Sequence, residues 1–166
     1  MTEYRPPAEW PNKVREIAEA TDLGIRSARA QDVNGFTDAV EQLKDHPEAR
    51  EVHAHMVREL LETTYQDGLS GDDVSEVLTR TLGGSADWQA PVDPSAVVVV
   101  LTGALGVAEH ADDADRAPTT NTQPAELTGA AILVMTDLTK GIAVDHRPYL
   151  DRAVAEIRRA QTVEMP

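Results

Sequence analysis

The sequence predicts an all-α single domain, a bundle of about seven helices with two apolar helices at its centre. Apolar residues recur at steps of three and four along most of the chain, which is the pattern of amphipathic helices. The one run rich in β-branched residues, AVVVV at 96–100, has no second strand candidate with which to pair. The domain is expected to span 1–166, with a flexible N-terminus at 1–8, an acidic loop at 109–123 and a frayed C-terminus at 161–166.

The first three helices are predicted from their apolar stripes and their ends. The first begins near Trp10, and Gly24 within it weakens the helix without ending it. The second follows Asp32 and stops at DHP, residues 45–47. The third starts at the proline of that segment. It is expected to end at Gly68, because glycine tolerates the left-handed dihedral angles of a C-terminal cap.

The next two helices have clear start patterns. In LSGDDV, residues 69–74, Ser70 and Asp73 have the spacing of a capping box, with flanking apolar residues in the positions of a hydrophobic staple. This helix is expected to end at the glycine pair 83–84. Asp93, followed by a proline, then caps a fifth helix.

The fifth and sixth helices are the predicted centre of the bundle. The apolar segment at 96–108 is longer than a typical strand, which favours helix. A sixth helix is expected over Ala125–Lys140 and a seventh from near Pro148. The tetrapeptide LTGA occurs at 101–104 and at 127–130, and its small residues predict close helix packing at both places.

Composition excludes several classes of function. The formal net charge is −14, so the basic stripe required for ordinary nucleic-acid binding is missing. There is no cysteine, which excludes disulfides and thiolate sites. The longest apolar run is too short for a bilayer span, so no membrane association is expected. The N-terminus MTEYRPPAEWPNK has no apolar signal-peptide core, which favours a cytoplasmic location. Twelve arginines against three lysines suggest a bacterial genome of high GC content.

The segment EVHAHMVREL, residues 51–60, raises the question of a metal site. On a helix, His53 and His55 point about 200° apart and cannot bind one ion together. His53 shares the apolar face, so it is predicted to be a hydrogen-bonded histidine at the edge of the core. Glu51, His55 and Glu59 form a stripe at four-residue spacing and are the best metal candidates. They lie opposite the apolar face, where a solvated surface is the favoured interpretation.

Two other groupings of acidic residues and histidine were weighed as sites. EHADDAD at 109–115 lacks the alternating oxygen ligands, central glycine and final glutamate of a calcium loop. Asp145, His146 and Asp151 lie at the start of the last helix, where capping and interaction with the helix dipole explain acidic residues. His110 and His146 remain candidates for the mouth of a pocket. No phosphate-binding loop or nucleophile elbow occurs, and no cofactor is expected.

These observations favour a non-catalytic cytoplasmic interaction or regulatory protein over an enzyme. Its acidic surface is expected to recognise a protein partner, and a basic partner would be steered to it. A homodimer is expected through apolar faces in residues 96–108 and 127–138. The alternative is an enzymatic or small-molecule-binding helical domain whose pocket lies between the two central helices. A cavity with converging polar groups would favour the second hypothesis, whereas a filled core with an exposed apolar patch would favour association.

Overall fold

The computed structural model describes residues 3–105 and 123–164, and side chains through residue 161. This part of the chain is all-helical and packs into one bundle. The helices are α1 (Asn12–Arg29), α2 (Val33–Leu43), α3 (Ala49–Thr64), α4 (Gly71–Ala86), α5 (Pro94–Ala104), α6 (Pro124–Gly141) and α7 (Arg147–Glu164). The prediction of an all-α bundle is confirmed. None of the helices in these ranges combines the length and apolarity that crossing a membrane requires.

The predicted helix starts are confirmed by their hydrogen bonds. The Ser70 hydroxyl accepts from the Asp73 amide at 3.1 Å, and the Asp73 carboxylate accepts from the Ser70 amide at 3.0 Å. Asp93 accepts from the Ser95 amide at 3.0 Å. Asp32 caps α2 through the amide of Gly35. Each cap satisfies an amide that has no partner inside its helix.

Two predicted helix ends are wrong. Helix α3 ends at Thr64, and Gly68 lies in the turn beyond it. Its φ of 109° and the hydrogen bond from its amide to the Tyr65 carbonyl shape the turn that leads to α4. Helix α4 continues through Gly83 and Gly84 to Ala86. Glycine lowers helix propensity but keeps both its hydrogen-bonding groups, so packing of the neighbouring turns can carry a helix across it.

Helix α6 is the centre of the bundle and contacts α1 through α5. Its residues 128–136 are all buried, which explains why the segment is apolar around its whole circumference. Helix α5 is not equally central. It buries Ala96, Val97 and Leu101 against its neighbours, yet Val98 is 41% exposed. The predicted pair of central helices is thus one central and one lateral helix.

A glycine allows a close approach of helices at Gly24, whereas Gly103 of the first LTGA segment does not. A Cβ atom at Gly24 would lie 2.7 Å from Ile132 Cδ1 and 3.3 Å from Ala39 Cβ, so this glycine lets α1 approach α6 and α2. Gly103 has open space around it. At Gly129, a Cβ would meet the Phe36 ring at 3.5 Å, an ordinary contact distance. The prediction of close packing is therefore wrong for 101–104.

The described residues near both chain ends belong to the bundle. The Tyr4 hydroxyl donates to Asp151 Oδ1 at 2.6 Å, and its ring faces the Arg147 guanidinium at 5.7 Å. The N-terminal segment, expected to be flexible over 1–8, is thereby attached to α7. At the other end, α7 runs through Glu164, and the predicted fraying of 161–166 stays a prediction. The predicted acidic loop at 109–123 lies outside the described residues except for Gln123.

Candidate functional site

An open groove of about 410 Å³ lies between α3, α5 and α6, and we call it the apolar groove. Half-buried aliphatic side chains line it: Val99 and Val100 from α5, and Leu127 from α6. Arg50 and Glu51 of α3 stand exposed at its rim. The groove exists because α5 is apolar on nearly every side and packs on α6 with only part of its circumference.

His53 is a buried polar residue of the apolar groove. Its ring is 3% exposed, and Nε2 lies 2.9 Å from the Thr21 hydroxyl of α1. The prediction that His53 is a hydrogen-bonded histidine at the core is confirmed. Burial lowers the pKa of His53 to about 4, so the ring is uncharged at neutral pH. It offers the groove a neutral imidazole and no charge.

A second set of polar residues joins α1 to the start of α7. The carboxylate of Asp22 is buried, and His146 Nε2 lies 2.7 Å from its Oδ1. Arg147 Nε donates to the same oxygen at 3.1 Å, and Arg26 Nε donates to Oδ2 at 2.7 Å. One carboxylate therefore holds three nitrogen donors from two helices and the turn between α6 and α7.

The hydrogen bonds determine the charge state of Asp22. Burial alone raises the pKa of this carboxyl group, but the bonds from His146, Arg26 and Arg147 outweigh it and lower the pKa from 3.8 to about 2. Asp22 is thus ionised at neutral pH and can only accept hydrogen bonds, so His146 Nε2 carries a proton. The other ring nitrogen, Nδ1, is buried without a hydrogen-bond partner in the described structure. The immediate role of the cluster is to fasten α7 to α1.

His146 was a candidate for the mouth of a pocket between the two central helices. The structure places it elsewhere, in a groove between the end of α1 and the α6–α7 turn. The cations Arg26, Arg29, Lys140 and Arg147 also line this groove, and we call it the basic groove. His110, the other candidate, lies outside the described residues.

The candidate metal ligands do not converge. Glu51 and His55 are exposed on α3, and Glu59 forms an ion pair with Arg152 of α7 at 2.7 Å. Among the residues that the structure describes, no group of three or more potential His, Asp or Glu ligands is arranged to hold a metal ion. Asp145 accepts from the Arg147 amide at 3.0 Å, as expected of a residue that caps α7.

Sequence reasoning missed Asp22, although a pattern could have revealed it. Asp22 lies four residues after Ala18 and three before Ile25, on the apolar face of the first helix. A charged residue at such a position is buried and needs partners of opposite charge. The pattern identifies Arg26, one turn along the same helix, but not His146 and Arg147, which come from more than 120 residues further along the chain. Comparison of the chain with family models, curated proteins and solved structures found no match.

Proposed function

We propose that this protein is a non-catalytic, cytoplasmic interaction protein that binds an apolar helix of a basic partner protein in the apolar groove. The observation that carries the proposal is the set of half-buried aliphatic side chains on α5 and α6, Val99, Val100 and Leu127, along an open groove. Grooves of this type bind the apolar face of an amphipathic helix.

The filled core favours association over an enclosed ligand site. The largest core side chains, among them Met56, Leu101 and Ile132, are fully buried, and the apolar groove is open along the surface. Covering an open apolar surface is favourable by a free energy of about 25 cal/mol for each Å² removed from water. A partner helix lying along α5 would cover it without any change in the core.

Charge favours a basic partner. The formal net charge of −14 steers cationic proteins toward the chain. Glu51 at the rim lies on the same helix face as the exposed His55 and half-buried Glu59. Lysine or arginine residues flanking the apolar stripe of a bound helix would pair with Glu51, whereas Glu59 already pairs with Arg152. A homodimer through the same groove would instead bring two strongly acidic chains together.

Helical peptides test the proposal directly. Two peptides with the same leucine stripe, one with lysine and one with glutamate on its polar face, are titrated into isotope-labelled protein and followed by amide NMR shifts. The lysine peptide should bind, with shifts confined to α3, α5 and α6. Val100→Glu should weaken binding at least tenfold, whereas Val98→Glu, on the same helix but outside the groove, should change it less than twofold.

Other outcomes contradict the proposal and identify its rivals. Shifts elsewhere, no binding of either peptide, or equal binding of both would refute the basic helix. If Val100→Glu alters the circular dichroism spectrum, the milder Val100→Thr replaces it in the comparison.

Binding of a small apolar compound is a second candidate function. A volume of about 410 Å³ suits such a ligand, and the His53 imidazole provides a polar group in the groove. Saturable binding of an aliphatic alcohol, lost in His53→Phe, together with failure of both peptides, would favour this function.

Self-association of α5 is a separate hypothesis. Residues 128–136 are already buried inside the chain, so among the described residues of the two expected segments the α5 face, with exposed Val98, and half-buried Leu127 remain for a dimer. Because the chain is acidic, salt should strengthen an apolar dimer by screening repulsion. Sedimentation at several salt concentrations measures this, and a monomer at all of them would exclude the dimer.

A further inference from the structure

The basic groove reverses the charge balance of the chain. Acidic residues outnumber lysine and arginine by 29 to 15 in the sequence. In the lining of this groove, the four cations Arg26, Arg29, Lys140 and Arg147 outnumber the two carboxylates Glu3 and Asp145. They still exceed the carboxylates by one when the buried Asp22, which pairs with Arg26 and Arg147, is included. Cations gathered on a concave surface of an otherwise acidic protein create a local attraction for anions.

The geometry leaves hydrogen-bond donors available to a ligand. Arg26 and Arg147 each donate a hydrogen bond to Asp22 from Nε. The Nη atoms of these two arginines take no part in the bonds to Asp22. Arg29 and Lys140 are exposed, and Arg29 is positioned by a bond from Nη2 to the Val144 carbonyl at 3.1 Å. Guanidinium groups fixed at Nε present their remaining N–H groups in the planar arrangement that suits an oxyanion.

A second observation at the same place points to a missing partner. His146 lines the basic groove with a side chain that is 5% exposed, and its Nδ1 lacks a hydrogen bond within the described residues. Buried polar atoms are paired in most proteins. With the proton on Nε2, Nδ1 of an uncharged ring is an acceptor, so it calls for a donor, either a bound water or a hydroxyl or N–H group on the uncharged portion of a ligand. The distance from Nδ1 to the Asp145 carboxylate oxygen Oδ1 is 3.8 Å, beyond hydrogen-bond range.

We propose that the basic groove binds a small oxyanion ligand, a carboxylate or phosphate group attached to an uncharged portion. The anion lies among Arg26, Arg29, Lys140 and Arg147, and the uncharged portion lies on Ala143 and Val144. The groove volume of about 1170 Å³ accommodates a ligand larger than the bare ion. Glu3, from the N-terminal segment that Tyr4 attaches to α7, opposes the anion and limits its affinity.

Titration with inorganic phosphate and with succinate, at matched ionic strength in sodium chloride, tests this site. Amide shifts should saturate at the end of α1 and in the α6–α7 turn. Lys140→Gln should raise Kd about fivefold, the effect of one unit charge at about 4 Å in water. Lys44→Gln is the matched control, because Lys44 is also an exposed lysine at a helix end and its loss changes the net charge equally. Glu3→Gln should tighten binding.

The outcomes separate the sources of the anion. Saturation by phosphate alone supports a phosphorylated ligand, and saturation by succinate alone supports an organic acid. Shifts that grow linearly with both ions would overturn the proposal, as would equal effects of Lys140→Gln and Lys44→Gln. Neither lysine substitution removes a buried group, so both variants should unfold at the wild-type midpoint in urea.

Discussion

Replacing Asp22 with asparagine tests whether one buried carboxylate holds α1 to the start of α7. The pKa of Asp22 is about 2 in the folded protein against an ordinary 3.8, and this difference is worth about 2 kcal/mol of stability at pH 7. Asparagine also leaves the buried His146 and the half-buried Arg147 without a charged partner, at a further cost of up to about 2 kcal/mol. Urea unfolding at pH 7 should therefore show a loss of about 2–4 kcal/mol.

The pH dependence of this loss has a defined sign. Because the folded state has the lower pKa, the stabilisation by Asp22 is fully present above pH 3.8 and declines as pH falls toward 2. The difference between wild type and Asp22→Asn should be about 1 kcal/mol smaller at pH 3 than at pH 7. Asp87→Asn, at an exposed position, should change stability by less than about 0.5 kcal/mol. A loss at Asp22 no larger than this control, or one independent of pH, would refute the reasoning.

Three other outcomes concern packing, a helix start and metal binding. Gly24→Ala should destabilise by about 1 kcal/mol because its Cβ meets Ile132. Gly84→Ala should stabilise the protein by about 0.5–1 kcal/mol, because the space around Gly84 is open. Urea unfolding measures both variants, and equal changes in their free energies of unfolding would contradict the two predictions. Ser70→Ala should cost about 0.5–2 kcal/mol, and an unchanged urea midpoint would show that the cap contributes nothing. Zinc should give no saturable calorimetric signal and no rise in Tm, whereas a tight site abolished by His55→Ala would establish a metal centre.

The candidate site was only partly accessible from sequence. The burial of His53 follows from its place on the apolar face of α3, and the structure confirms it. The grouping of polar side chains around Asp22 could not be predicted from the sequence in the same way. Arg26 lies one turn from Asp22, but His146 and Arg147 arrive through the path of the intervening helices.

Glycine positions show the same division. Gly24, Gly84 and Gly103 all lie inside helices, and helix propensity treats the three alike. Only Gly24 among these three faces another helix closely, because α1 crosses α6 at that point. The crossing depends on how all the helices pack, so the role of each glycine is a tertiary property.

By itself, the sequence determined the number of helices in the part of the chain that the structure describes, most of their starts and their buried faces, because capping bonds and apolar periodicity act between residues a few positions apart. The tertiary structure decided which of two apolar helices is central and where open grooves remain. Helix α6 is enclosed by five neighbours, whereas α5 is covered on part of its surface and leaves Val98 and the apolar groove exposed. The tertiary structure also placed four cations of an acidic chain in the basic groove. Such arrangements depend on contacts between distant segments, and local periodicity carries no information about them.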